Sequence, residues 1–176
     1  GYTRRADSRC PDCGGMLTFV GAGTQLIEEE LKQLYPDTQV LRMDTDTVKA
    51  AGSHDVLLNR FKNEKIPIMV GTQMVTKGLN FENVTLIGVV SADQSLYCGD
   101  YRSGERTFSL ITQVIGRSGR GSKPGRAIIQ TFTPQNEIIR LAAQQDYESF
   151  FKTELSLRRL QDTPPFADII AITASG

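Results

Sequence analysis

Several absences bound what this chain can be. No stretch approaches the roughly 18 consecutive apolar residues that a membrane helix needs, which predicts no membrane partner. The opening Gly1-Tyr2-Thr3-Arg4-Arg5 has neither an initiator Met nor the apolar core of a signal peptide, and it reads as a cut edge. Three cysteines are too few for a disulfide framework, so a reducing cytoplasm is expected. Charge of either sign is not in excess: 20 Lys and Arg balance 20 Asp and Glu. Bulk charge therefore points neither toward nor away from nucleic acid, and any basic surface must be local. A phosphate cradle of the form G-x-x-x-x-G-K-S/T is missing, and so is an acidic magnesium-binding box after an apolar strand.

What is present is enough for one domain with a small appendage: 176 residues, 39% of them apolar. Residues 1–15 are polar and contain two cysteines. From residue 16 to 134, short apolar runs alternate with helical patterns. The runs are Met16–Val20, Val40–Met43, Ile66–Val70, Thr85–Val90 and Ala127–Phe132. Between them, Ile27, Leu31, Leu34 and Tyr35 fall on one helical face, with Glu28, Glu29 and Glu30 early in the helix and Pro36 after its end. His54 to Asn63 reads as a helix burying Leu57, Leu58 and Phe61, and Arg102 to Gly116 as another. Continuous apolar strands separated by helices predict an α/β fold, a doubly wound, mostly parallel sheet of four to six strands covered on both faces. Its ligand edge would lie at the strands' C-terminal ends. Residues 135–162 read as a helical extension, broken where Asp146 caps Tyr147 onward. Thr163-Pro164-Pro165-Phe166 stops it, and residues 163–176 read as the start of a truncated further domain, with Asp168–Thr173 as its first strand.

The segment Gln113-Val-Ile-Gly-Arg117-Ser-Gly-Arg120 has the sharpest chemistry. In a helix, Gln113, Arg117 and Arg120 would share one face at i, i+4 and i+7. Glycine in helical surroundings costs up to about 1 kcal/mol against Ala, so Gly116 and Gly119 need a reason, such as close approach of a ligand or another surface. A planar, permanently charged guanidinium suits the charge that spreads over a phosphoryl group leaving ATP. A solvated basic helix end is the plainer alternative. With no phosphate cradle in the chain, such an arginine is half of a site.

Three other segments offer polar chemistry. Gly71-Thr-Gln-Met-Val-Thr-Lys-Gly-Leu-Asn80 follows an apolar run, and its Thr72, Gln73, Thr76, Lys77 and Gly78 suit a nucleic-acid backbone or an ordinary turn. Gly21-Ala-Gly23-Thr24 opens a helix. It fits either a phosphate-tracking helix start at Thr24 or a dinucleotide site using Gly21, Gly23 and Asp44, although Leu26 stands where the third glycine should be. Cys10-Pro-Asp-Cys13-Gly14-Gly15 has knuckle spacing for zinc but supplies only two of four ligands. His54 lies within a helical pattern and is no convincing third.

Taken in order, C-P-x-C-G-G, G-x-G-T, E-E-E-L and R-x-D-x-D-T (Arg42 to Thr47) are joined by three longer motifs. These are G-T-Q-M-x-x-K-G-x-x-F-x-N-V-T-L (Gly71 to Leu86), D-Y-R-S-x-E-R-T-F (Asp100 to Phe108) and T-Q-V-x-G-R-x-G-R (Thr112 to Arg120). Over almost its whole length the chain thereby resembles the primosomal replication-restart DNA helicases of bacteria, within helicase superfamily two. The resemblance implies a RecA-like C-terminal helicase lobe over 16–134, active only inside a longer protein. It implies Arg120 as arginine finger with Arg117 and Gln113 beside it, Gly78 and Asn80 toward ATP with magnesium, and Gly23, Thr24, Arg42, Thr72, Gln73 and Lys77 along DNA. Asn80 stands where many relatives carry Asp or His. Cys10 and Cys13 would be the last pair of a cysteine-rich insertion that binds zinc, making 1–15 a partial zinc-binding segment. Implied partners are single-stranded and forked DNA, other primosome proteins and single-stranded-DNA-binding protein. A zinc-ribbon binding module on an α/β platform and a dinucleotide-binding domain remain as other readings.

Overall fold

The computed structural model describes residues 9, 13–16, 23–72, 83–117, 119, 124–170 and 172. The first unit runs α1 (Thr24–Leu34), β1 (Val40–Met43), α2 (Thr45–Ala51), α3 (His54–Asn63) and β2 (Ile68–Gly71). β1 and β2 pair in parallel, from Val40 opposite Ile68 to Met43 opposite Gly71. The alternation along β1 sorts its two faces. Leu41 and Met43 are buried with Leu57 and Ile66, and Val48, Leu58 and Phe61 of α2 and α3 pack against that cluster. Arg42 turns the other way, to Glu28 of α1. β1 is thus covered on both sides, as expected.

No apolar periodicity marks α2 in the sequence. Its cause is local: Asp44 accepts from Thr47 N, and Thr47 Oγ1 accepts from Asp44 N, a closed capping box. α1 also needs correcting. Ile27 and Leu31 are half-buried, but Leu34 and Tyr35 are exposed, and the three glutamates lie beyond the first turn. Glu28 serves ion pairs with Lys32 and Arg42, and Glu29 accepts from Gln25 Nε2.

The second unit runs β3 (Leu86–Val89), α4 (Asp93–Leu96), α5 (Ser103–Ile115), β4 (Arg126–Ile129), α6 (Glu137–Gln144) and α7 (Tyr147–Leu160). β3 and β4 are parallel, Leu86 opposite Arg126 through Val89 opposite Ile129. Val89 and Ile129 pack on a core of Ala92, Phe108, Ile111, Ile139, Ala142 and Phe150. There the Phe108 and Phe150 rings stack at 4.0 Å between centroids. Gly104 lets α5 approach so closely: a Cβ on it would lie 2.9 Å from Ile138 Cδ1 and 3.0 Å from Glu154 Oε2. The break between α6 and α7 falls at Asp146, whose carboxylate accepts from Ser149 N at 3.0 Å.

Three expectations differ from what is found. Among the described residues the strands form two separate two-stranded parallel sheets, not one doubly wound sheet. Of the expected first strand, only Met16 is described, and it makes an isolated antiparallel bridge with Arg9. In β3 and β4 the helices cover one face, leaving Leu86 and Ile128 exposed on the other. Asp168–Ile170 and Ile172 form no strand and are exposed.

Candidate nucleic-acid edge and arginine loop

Asp44 organises the C-terminal end of the first sheet. Thr24 Oγ1, at the start of α1, donates to Asp44 Oδ2 over 2.6 Å. Arg42 Nε stands 3.1 Å from the same oxygen, an ion pair rather than an aligned hydrogen bond. Asp44 Oδ1 takes the capping bond from Thr47 N at 2.9 Å and a second from Thr47 Oγ1 at 3.0 Å. The Thr24 hydroxyl, the Thr47 donors and the Arg42 charge outweigh burial and hold its carboxyl down to about 2 from an ordinary 3.8. With both oxygens engaged inside the chain, Asp44 is not poised to receive a ribose hydroxyl, which argues against the dinucleotide reading.

Arg42 is shared by a second acid, with Nη1 3.4 Å from Glu28 Oε2, while Glu28 Oε1 lies 2.7 Å from Lys32 Nζ. Four of the six residues expected along DNA are described, and the fold gathers them at one end. Gly23 is the exposed N-cap of α1, Thr24 and Arg42 meet at Asp44, and exposed Thr72 follows β2 directly. Because Met43 pairs with Gly71, Thr72 and Asp44 leave adjacent strands at the same level. Gln73 and Lys77 lie outside the described residues, as do Gly78 and Asn80.

The arginine segment is not one helical face. α5 ends at Ile115 with Gly116 as its cap, and Arg117 N bonds back to Val114 O in a turn. Gly119 follows at φ +73°, a left-handed conformation, and its amide donates to Val84 O at 3.2 Å. A Cβ there would stand 2.6 Å from Gly125 N. The reason for this glycine is therefore the chain's own backbone, not an outside surface. Gln113 is exposed at the last turn of α5, with Nε2 donating to Ser109 Oγ at 2.9 Å, and Arg117 is half-buried. Arg120 lies outside the described residues. Since Val84 precedes β3 and Gly125 precedes β4, Gly119 sits at the N-terminal ends of the second sheet. Arg42 and Thr72 sit at the C-terminal ends of the first.

Sequence reasoning missed Asp93. It is 4% exposed and accepts from Thr133 Oγ1 at 2.6 Å, Thr131 Oγ1 at 2.8 Å and Phe132 N at 2.9 Å. Burial alone would push its pKa up, but these donors together draw it below the usual range. The carboxylate thereby ties the turn after β4 to α4. Its partners lie about forty residues away in sequence, so no local signal marks it.

The fit to a metal is partial. Gly14 takes φ +69°, Arg9 Nη1 donates to its carbonyl at 3.4 Å, and Cys13 is exposed beside it. Cys10 lies outside the described residues. Among the described residues, no group of three or more His, Cys, Asp or Glu could hold a metal, and Cys13 alone is one of the four donors a structural zinc needs. No helix among them is long and apolar enough to cross a membrane.

Parallel strands with intervening helices fit an α/β, RecA-like fold. The chain belongs to the helicase conserved C-terminal domain family, which matches residues 14–122. It is similar to replication restart protein PriA of Bacillus subtilis (strain 168), at 47% identity over 176 residues, covering 99% of this chain and 22% of that protein. PriA of Chlamydia trachomatis serovar D is 46% identical over 163 residues, 92% of this chain and 22% of that protein. PriA of Rickettsia conorii is 39% identical over 178 residues, 100% of this chain and 28% of that protein. The chain thus spans between 22% and 28% of the length of these relatives.

Proposed function

We propose that this chain is the second lobe of an ATP-driven DNA helicase for replication-fork restart and primosome assembly. Support comes from the helicase C-terminal domain match over residues 14–122 and from the turn after α5, where Gly119 is braced against Val84 and Gly125 two residues beyond Arg117. Arg120 serves as the arginine finger, with Arg117 and Gln113 beside it and Gly78 and Asn80 toward the nucleotide. ATP with magnesium supplies the phosphoryl group whose developing charge the guanidinium neutralises. A lobe carrying the phosphate cradle must hold it, because this chain has no such motif.

Gly23, Thr24, Arg42, Thr72, Gln73 and Lys77 line part of the track for single-stranded DNA. Thr24 and Arg42 are preset by Asp44, and Thr72 is presented at the neighbouring strand end. Forked DNA, other primosome proteins and single-stranded-DNA-binding protein are the partners proposed, in the cytoplasm. Cys10 and Cys13 contribute half of a zinc site completed by cysteines elsewhere in the protein.

The decisive experiment is Arg120→Ala in the protein carrying both lobes. DNA-stimulated ATP turnover should fall by about a thousandfold or more while nucleotide still binds. Unchanged turnover would remove the finger assignment. The isolated 176 residues should hydrolyse no ATP.

A further inference from the structure

Arg42 is proposed above to face DNA, yet its charge is already matched. Side-chain exposure is only 21% for Arg42, 17% for Glu28 and 14% for Asp44. The two acids are not equivalent. Asp44 is pinned by Thr24 and by both donors of Thr47, so it cannot leave without undoing the start of α1 and the cap of α2. Glu28 holds Arg42 by a longer contact, 3.4 Å, and its other oxygen rests 2.7 Å from Lys32 one turn along the same helix. Beside them opens a cavity of about 380 Å³ whose lining includes Glu28, Lys32, Arg42, Thr47 and Arg60. Arg60 is itself held by Glu64 at 3.1 Å, so Lys32 and Arg42 are the cations that share Glu28.

We infer that Glu28 is an internal stand-in for a DNA phosphate: it holds Arg42 when no strand is bound and yields that place when a backbone phosphate arrives. The inference rests on the reading that Arg42 faces DNA. A phosphate that takes Glu28's place meets Arg42 with Lys32 nearby, while Glu28 keeps its bond to Lys32 and need not be left uncompensated. Competition by a tethered carboxylate lowers the net gain from each phosphate contact. A lobe that must release DNA at every step gains from a grip that is neither absent nor tight.

The test is a set of single-stranded oligothymidine binding curves on the full-length protein by fluorescence anisotropy, across a salt series, with folding checked by melting temperature. Arg42→Ala should weaken binding and reduce the slope of log affinity on log salt by about one. Glu28→Gln keeps the side chain's shape and its reach to Lys32 but removes the competing charge. It should tighten binding by about two- to fivefold at low salt, the range of a partly exposed ion pair. In the Arg42→Ala background that gain should vanish. Unchanged or weaker binding by Glu28→Gln overturns the inference alone, provided Arg42→Ala is defective. An equal gain in both backgrounds also overturns it, because the effect is then general repulsion. A normal Arg42→Ala removes the DNA reading of Arg42 and the inference with it.

Discussion

Gly119 and Gly125 cross so closely that a Cβ on the first would stand 2.6 Å from the amide nitrogen of the second and 3.0 Å from its Cα. Gly119 also sits at φ +73°, where an L side chain is strained. Backbone cannot swing aside as a flexible side chain can. Gly119→Ala should therefore lower stability by about 2 kcal/mol or more, combining left-handed strain with the collision. A denaturant titration measures it, and a loss under half of that would show that the turn is free to reshape.

Acid should loosen the first unit through Asp44. Its folded carboxyl lies near 2 and its ordinary value is 3.8. A depressed pKa contributes stability that is full above about 4 and is lost as pH falls from there toward 2. The shift corresponds to about 2 kcal/mol at neutral pH, somewhat less after solvent screening. Urea titrations at pH 7 and pH 3 should show the loss, and Asp44→Asn should flatten the difference. A difference as large in Asp44→Asn as in the parent would place the effect elsewhere.

Asp93→Ala should cost more than a surface change. It strands the Thr131 and Thr133 hydroxyls and the Phe132 amide, all now satisfied by one carboxylate. Leaving part-buried donors unmet costs about 1 kcal/mol or more, with charged partners at the upper end. Amide hydrogen exchange should quicken at Phe132, while Val70 and Met69 in the other unit keep their rates. Uniform acceleration would mean global rather than local loosening.

Arg158 fastens α7 to α5. Its Nη2 lies 2.8 Å from Glu105 Oε2, its Nε 2.9 Å from Glu154 Oε1, and its Nη1 donates to Pro164 O at 3.3 Å. Burial would lower its pKa, yet the two carboxylates raise it. Arg158→Met keeps the apolar stem and should still destabilise by about 1–2 kcal/mol, because Glu154 is left largely buried without its partner. Pairing it with Glu154→Gln should recover part of that loss in a double-mutant cycle.

Much of the secondary structure was legible because its causes are short-range. α3 begins and ends where the Leu57, Leu58, Phe61 pattern places it, and α5 runs 103–115 against an expected 102–116. Asp146 breaks α6 from α7 through a bond to an amide three residues on. Asp44 and Thr47 carry the same kind of short-range signal for α2.

The chemistry of the edges was legible as residue types but not as geometry. Thr24 and Arg42 could be picked out in the chain, but nothing local announces that Asp44, twenty residues beyond Thr24, binds both or that Glu28 competes for Arg42. Helical spacing placed Gln113, Arg117 and Arg120 on one face. The helix stops first, because Gly119 must reach Val84 and clear Gly125. By itself the sequence determined the local elements, the α/β alternation and the list of polar groups, since periodicity and capping act within a few residues. Only the tertiary structure decided which of those groups already hold one another, because pairings across twenty or forty residues depend on how strands and helices are brought together.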